Sequence, residues 1–420
     1  MSQATTNGWP SIRLRYLVRF SPSDDQRRKA ADVSEVSFLP MEAIGEQGTL
    51  DLSLTRNQED VKSGYTQFFD GDVVVAKITP CFENGKGALV SNLVNGVGYG
   101  TTELHVLSPG PQLDPQFLYY VTASERFRRL GEAEMTGTAG QKRVPEDFIR
   151  DYRISVPPLP LQKMIVRYLD SEVARLDALV RAKNRLLELI ATKKKALIAE
   201  AVTRGIDTSV SLRDSGVAWL GKIPVHWKTE RTKWLFRERD DRSLTGQEEM
   251  LTVSHLTGVT PRSEKEVNMF EAETNEGYKV CYPGDLVINT LWAWMGAMGV
   301  SPLHGIVSPA YNVYTPDAQL CPSYVDRLVR IPVFAQEAIR FSKGVWSSRL
   351  RLYPEGFFEI WMPVPPLEEQ NAIATHIGSA TAELDALSAS ANATIALLQE
   401  RRGAVITAAL AGQMDRDEAL

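Results

Sequence analysis

Apolar residues along this chain settle twice into a helical period. From Val156-Pro157-Pro158-Leu159 onward, Val166, Val173, Val180 and Leu187 recur every seven residues, and so do Leu169, Leu176, Ile190 and Leu197. The two sets interleave by three and four, the a/d seam of a helix that packs along one face. Lys183 and Lys194 interrupt it. From Val364-Pro365-Pro366-Leu367 the register returns with smaller residues: Thr381, Ser388, Ile395 and Ala409 against Ile377, Leu384, Ala391, Leu398 and Val405. Pro158 and Pro366 mark the starts, because proline is tolerated at a helix's first turn and not within it. Gly205 and Gly412 stand where a C-terminal stop belongs. The pattern predicts two helices of some forty residues, each about 60 Å long at 1.5 Å per residue.

The two stretches are copies, 208 residues apart and aligned without a gap. Gln162/Gln370, Ile165/Ile373, Ser171/Ser379 and Asn184/Asn392 match, and Leu176-Asp177-Ala178-Leu179 recurs as Leu384-Asp385-Ala386-Leu387. Ala196, Ile198, Ala201 and Asp207 recur as Ala404, Ile406, Ala409 and Asp415. A period this long is no solenoid, whose units run to roughly 20–50 residues. It is a duplicated half. The helices either lie separately on their own domains or pack on each other, and the length and repetition of the seam favour the second. Antiparallel pairing then follows from connectivity, with a pseudo-two-fold axis and a globular domain at each end of a common rod.

Between the helices the pattern is that of short strands. Gly71-Asp72-Val73-Val74-Val75 resembles Gly284-Asp285-Leu286-Val287-Ile288, a turn into a buried strand. Trp9 to Leu17 echoes Trp227 to Leu235, Asp114 to Tyr120 echoes Cys321 to Arg327, and Pro145-Glu146-Asp147-Phe148 echoes Pro354-Glu355-Gly356-Phe357. The expected fold class is α+β: two similar mixed α/β domains separated by two long helices in an antiparallel coiled coil. The expected division is residues 1–155, a domain; 156–207, a helical spacer; 208–363, a linker and second domain; 364–420, a second spacer and tail.

Composition adds little to this and removes several classes. At 420 residues, 43% hydrophobic and 24% charged, the chain has room for two or three ordinary globular cores. No apolar run is long enough to span a membrane, and Met1 to Thr6 lacks the basic and apolar regions of a signal peptide. Cys81, Cys281 and Cys321 are odd in number and far apart, which suits a reducing cytoplasm. A net charge of −5 weighs mildly against a free-standing nucleic-acid binder and is compatible with one that works in an assembly.

No catalytic constellation emerges. The chain has no Gly-x-x-x-x-Gly-Lys-Ser/Thr loop. Val156-Pro157-Pro158-Leu159 lacks the polar residue and the aromatic ring of a methyltransferase Asn/Asp-Pro-Pro-aromatic motif. His105, His226, His255, His304 and His376 are scattered, without ligand spacing to each other or to cysteine. Asp72, after glycine at a strand start, is a turn residue before it is a nuclease carboxylate. The expectation is no cofactor, no metal and no chemistry of the chain's own.

The order of domain, Pro-Pro-Leu helix, Ser215-Gly216-Val217-Ala218-Trp219-Leu220-Gly221-Lys222-Ile223-Pro224-Val225-His226-Trp227, domain, and Val364-Pro365-Pro366-Leu367-Glu368-Glu369-Gln370 helix resembles the specificity subunits of type I restriction–modification systems along essentially the whole chain. The first Pro-Pro copy departs from the second, with Pro160-Leu161-Gln162 in place of Glu-Glu-Gln. The resemblance implies that each globular half is a target recognition domain reading half of a split site in double-stranded DNA. It implies helices that act as a ruler and dock two modification (methyltransferase) subunits, with restriction (helicase-nuclease) subunits joining through them.

On that reading, base readout falls to polar, basic and aromatic loop residues. The candidates are Lys77, Thr79, Lys86, Gln141, Lys142 and Arg143 in the first domain, and Asn289, Thr290, Trp292, Trp294, Ser347, Ser348, Arg349 and Arg351 in the second. After the shared Gly-Asp strand the two domains diverge, Ala76-Lys77-Ile78-Thr79-Pro80 against Asn289-Thr290-Leu291-Trp292-Ala293-Trp294, as two readers of different targets would. Lys193-Lys194-Lys195 and Arg401-Arg402 read as a solvated or partner-facing stripe on the helices. The alternative is a coiled-coil scaffold whose two domains bind proteins or small ligands.

Overall fold

The computed structural model describes residues 8–138, 140–264, 274–344 and 350–413. The chain divides into two compact units, one formed by residues 1–183 and 392–420 and the other by residues 184–391. Each unit holds one globular domain and one stretch from each long helix. Both helices form where the heptad pattern places them, Leu159–Arg204 and Leu367–Leu410, each one residue past its second proline. They stop at Gly205 and Gly412, whose φ of +80° and +72° is the left-handed conformation that glycine adopts without strain.

The first unit pairs Ser11–Arg13 antiparallel with Arg153–Ser155, in register Ser11 to Ser155. Its central sheet orders Val18–Arg19, Leu104–Pro109, Val73–Ala76 and Gly87–Leu89, all antiparallel. A second four-stranded sheet orders Thr55–Asn57, Glu35–Leu39, Val97–Gly100 and Thr66–Phe69, with its middle pair parallel. The second unit repeats the first two features. Lys228–Arg231 pairs with Trp361–Val364, and the sheet runs Phe236–Arg239, Tyr311–Pro316, Leu286–Asn289, Met298–Val300. Its remaining strands among the described residues form two-stranded ladders. The Gly-Asp turn that opens each central strand is built alike. Asp72 accepts the Phe69 N–H at 2.8 Å and Asp285 accepts the Tyr282 N–H at 2.9 Å, so both carboxylates are turn residues.

Within each unit the two helix stretches run antiparallel. In the first, Ile165, Leu169 and Val173 share a core with Ile406 and Ala409, while Asp177, further along, meets Arg402. In the second, Ala201 and Val202 share a core with Ile373 and Ile377, while Lys194 meets Asp385. Of the seam residues, Val173, Leu176, Val180 and Ile190 are buried, and Leu187, Leu384, Ile395 and Leu398 are half-buried.

The Lys194 interruption is a polar contact with a duplicated mate. Asp177 and Asp385 are equivalent in the repeat, as are Arg402 and Lys194. The Arg402–Asp177 pair closes at 3.1 Å with side chains only 14% and 13% exposed, and the Lys194–Asp385 pair closes at 2.7 Å with 33% and 62% exposed. The expectation of a solvated or partner-facing stripe is therefore corrected at Lys194 and Arg402, which pair with a carboxylate on the other helix of the same chain.

A second duplicated device sits at the helix starts. Gln162 and Gln370 are fully buried. The Gln162 Oε1 accepts the Asp114 N–H at 2.8 Å, and its Nε2 donates to the Gln112 and Pro157 carbonyls at 2.9 and 2.8 Å. Gln370 does the same with the Cys321 N–H at 2.8 Å and the Gln319 and Pro365 carbonyls at 2.9 and 2.8 Å. One amide thus joins the Pro-Pro entry of the long helix to the start of the domain's short helix, Pro115–Ala123 or Pro322–Val329. The Pro160-Leu161 departure leaves this arrangement intact.

Candidate nucleic-acid interface

Each unit brings two distant segments side by side just past its buried central strand. In the first, the Val144 N–H donates to the Lys77 carbonyl at 2.8 Å, and the Thr79 N–H donates to the Lys142 carbonyl at 2.9 Å. Behind this, Thr136 and Arg143 exchange hydrogen bonds of 3.0 and 2.8 Å, closing a hairpin. Gly137 turns that hairpin at φ +127°, where an added Cβ would stand 2.8 Å from the Gln141 carbonyl oxygen. In the second unit the Leu352 N–H donates to the Thr290 carbonyl at 3.2 Å, and Lys343 and Arg351 exchange bonds of 2.9 and 2.9 Å. The same backbone frame therefore carries different side chains.

On the first frame, Gln141, Lys142 and Arg143 are exposed. The Arg143 guanidinium forks onto Glu103, with Nε to Oε2 at 2.9 Å and a terminal nitrogen to Oε1 at 2.7 Å. That bond holds the Glu103 carboxyl below its ordinary range. Lys77 and Arg143 line a cleft of about 610 Å3 together with His105 and Ser108. His105 lies buried against the Val144 carbonyl at 2.9 Å, and burial pushes its imidazole pKa down. Thr79 Oγ1 donates to Glu83 at 3.3 Å. Lys86 is half-buried, its Nζ donating to the Met41 carbonyl at 3.0 Å.

On the second frame, Trp292 is 51% exposed and stacks on Trp294, ring centroids 5.9 Å apart and planes 25° apart. Arg351 is exposed. Asn289 and Thr290 are buried, because the strand Leu286–Asn289 is covered on both sides. Asn289 Nδ2 donates to the Tyr311 hydroxyl at 2.9 Å and Thr290 Oγ1 to the Ala310 carbonyl at 2.8 Å, while the buried Asn289 Oδ1 has no hydrogen-bond partner among the described residues. Asn289, Thr290 and Lys86 are accordingly withdrawn as base-contact candidates. Ser347, Ser348 and Arg349 lie outside the described residues. Sequence reasoning missed Glu103, whose partner Arg143 is 40 residues away.

Among the described residues, no group of three or more His, Cys, Asp or Glu is placed to hold a metal ion. No described helix is long and apolar enough to cross a membrane.

Residues 29–189 match the family model for the type I restriction modification DNA specificity domain. The type I restriction enzyme EcoAI specificity subunit of Escherichia coli is 42% identical over 163 residues, 38% of this chain and 27% of that protein. The EcoEI specificity subunit of the same organism is 43% identical over 162 residues, again 27% of its length, so the match spans about a quarter of these relatives. A chain from the structure described as "Structural basis underlying complex assembly and conformational transition of the type I R-M system" shares the fold. Its TM-score is 0.74 at 17% identity, over 98% of this chain and 100% of that one. Residues 29–189 are thus similar to a type I restriction modification DNA specificity domain, and the chain as a whole shares the fold of a chain from a type I R-M structure.

Proposed function

We propose that this chain is the DNA sequence-specificity subunit of a type I restriction–modification complex, each unit reading one half of a bipartite target in double-stranded DNA. The observation that carries the reading is the repeated backbone frame, Val144 on Lys77 in one unit and Leu352 on Thr290 in the other, with different exposed side chains on each. Similar frames with unlike side chains suit two readers of two sequences. Arginine and glutamine at Arg143 and Gln141 donate to guanine and bridge adenine, and lysines neutralise phosphate. The chain itself performs no catalysis in this reading and acts in the cytoplasm. Methyl transfer and cleavage belong to its partners.

The long helices set the spacing of the half-sites and dock two modification subunits, through which restriction subunits join. The exposed leucines support two copies of one partner. Leu159, Leu179 and Leu189 on the first helix are exposed, and so are their repeat mates Leu367, Leu387 and Leu397. Large apolar side chains kept at the same exposed positions in both copies mark contact surface. By chain membership the first unit holds Leu179 and Leu397, and the second holds Leu189 and Leu387. The double variant Leu189→Glu/Leu387→Glu is expected to bind one modification subunit in place of two by native mass spectrometry. Retention of two removes these leucines from the interface.

Mapping methylated bases in cells that express this chain with its modification subunits tests the function itself. A bipartite target is expected, and no sequence preference refutes the reading. Arg143→Ala is expected to relax one half-site and leave the other unchanged, since a good bidentate base contact is worth about 1–3 kcal/mol. Equal relaxation of both half-sites would place Arg143 on phosphate alone.

A further inference from the structure

Trp292 is a large apolar side chain held half in solvent on a rigid turn, and indoles are highly buried on average. Its turn is a short 3-10 segment, Ala293–Met295, tied by the Met295 and Ala297 N–H groups to the Trp292 carbonyl at 3.0 and 3.1 Å. Ala293 is buried beneath it, and Trp294 backs the ring while its Nε1 donates to the Leu291 carbonyl at 3.0 Å. Met295 is also exposed beside it. The Leu352–Thr290 hydrogen bond brings the Lys343–Arg351 bridge to the same edge, and neither cation has a carboxylate partner among the described residues. The result is a preorganised apolar knuckle flanked by positive charge. The corresponding turn of the first unit has none: its aromatic residue, Phe82, is buried.

We propose that Trp292 enters the base stack of the half-site read by the second unit, as a wedge that partly unstacks one base step, and that the first unit reads its half-site without such a wedge. This rests on the DNA-specificity reading above. Proteins that kink duplexes insert apolar side chains between base steps and recover the unstacking cost through added contact. Here Lys343 and Arg351 supply the cations that hold the flanking phosphates, and Trp294 keeps the indole from folding back onto the domain. The half-site bound by the second unit is then selected partly for an easily opened step, such as a pyrimidine–purine step, and not only by hydrogen bonds to base edges.

The test uses the full complex with modification subunits and a duplex carrying the methylation-mapped target. The base analogue 2-aminopurine replaces each position of the second unit's half-site in turn. Its fluorescence is expected to rise severalfold at one step on binding. Trp292→Ala is expected to abolish that rise and to weaken binding about tenfold, in line with the loss of one base–aromatic stack. Trp292→Phe keeps part of both effects and guards against misfolding of the alanine variant. Probes in the first unit's half-site are expected to report no Trp292-dependent change. Specific binding without a rise, or a rise that survives Trp292→Ala, overturns the wedge. Binding no tighter to the target than to a scrambled duplex overturns the specificity reading itself.

Discussion

Asp177→Ala is expected to destabilise the protein by about 3–5 kcal/mol, because it strands a guanidinium that is largely withdrawn from water. The equivalent change in the other copy, Asp385→Ala, is expected to cost at most about 1 kcal/mol, because its lysine is solvated without help. The contrast isolates burial. Both carboxylates sit at the same repeat position and both meet a cation on the antiparallel helix. Arg402 also lies near the Tyr119 hydroxyl and the Arg128 guanidinium, whose pKa is lowered first by burial and then by the Arg402 charge. Without Asp177 two guanidiniums face each other with less compensation. The double variant Asp177→Ala/Arg402→Met is expected to recover most of the loss, since an apolar pair of similar volume replaces a buried ion pair at little cost. Urea titration of the four proteins decides it. Equal costs for Asp177→Ala and Asp385→Ala would show that burial does not set the difference.

Gln162→Leu is expected to cost about 3 kcal/mol, from three backbone groups left without a partner, each worth about 1–3 kcal/mol when fully buried. For a unit of this size that lowers the melting temperature by about 10 °C. Gln370→Leu is expected to match it in the second unit, since the bonds differ by no more than 0.1 Å between copies. Gln162→Glu is expected to be worse than leucine. A carboxylate places negative oxygen against the Gln112 and Pro157 carbonyls and cannot donate to them. Calorimetry on the three variants checks the order. Glutamate tolerated as well as glutamine would mean the amide is not what closes the helix entry.

The long helices were legible because a seven-residue period, two prolines and two glycines all point to the same boundaries. The match between Gln162 and Gln370 was also visible, but its purpose was not. The partners Asp114 and Gln112 lie 48 and 50 residues away, and only the fold brings their backbone groups to the amide. Lys194 looked like a break in the seam for a similar reason, since its partner is 191 residues distant. The candidate site was legible by segment and not by side chain. Lys77 and Arg143 line one cleft, and a backbone bond from Leu352 to Thr290 joins the segments that carry Arg351 and Trp292. Asn289 and Thr290 follow the loop pattern in sequence, yet they end a strand covered on both sides and are themselves buried. Composition has no signal for that distinction.

The division of the chain into units also fixes an order of assembly during synthesis. Residues 184–391 are continuous, so everything the second unit needs has been made before residue 392 appears. The first unit is interrupted. Its core includes Ile406 and Ala409, which arrive after the whole second unit has been translated. Until then Ile165, Leu169 and Val173 keep an apolar face open on the nascent chain. Closing a loop of that length costs only a few kcal/mol of entropy, since the penalty grows with the logarithm of length. The wait is therefore a matter of time more than of stability. At about 5–20 residues per second, it lasts on the order of ten seconds or more. The half made first is the half finished last, and that interval is when the chain is most open to wrong partners.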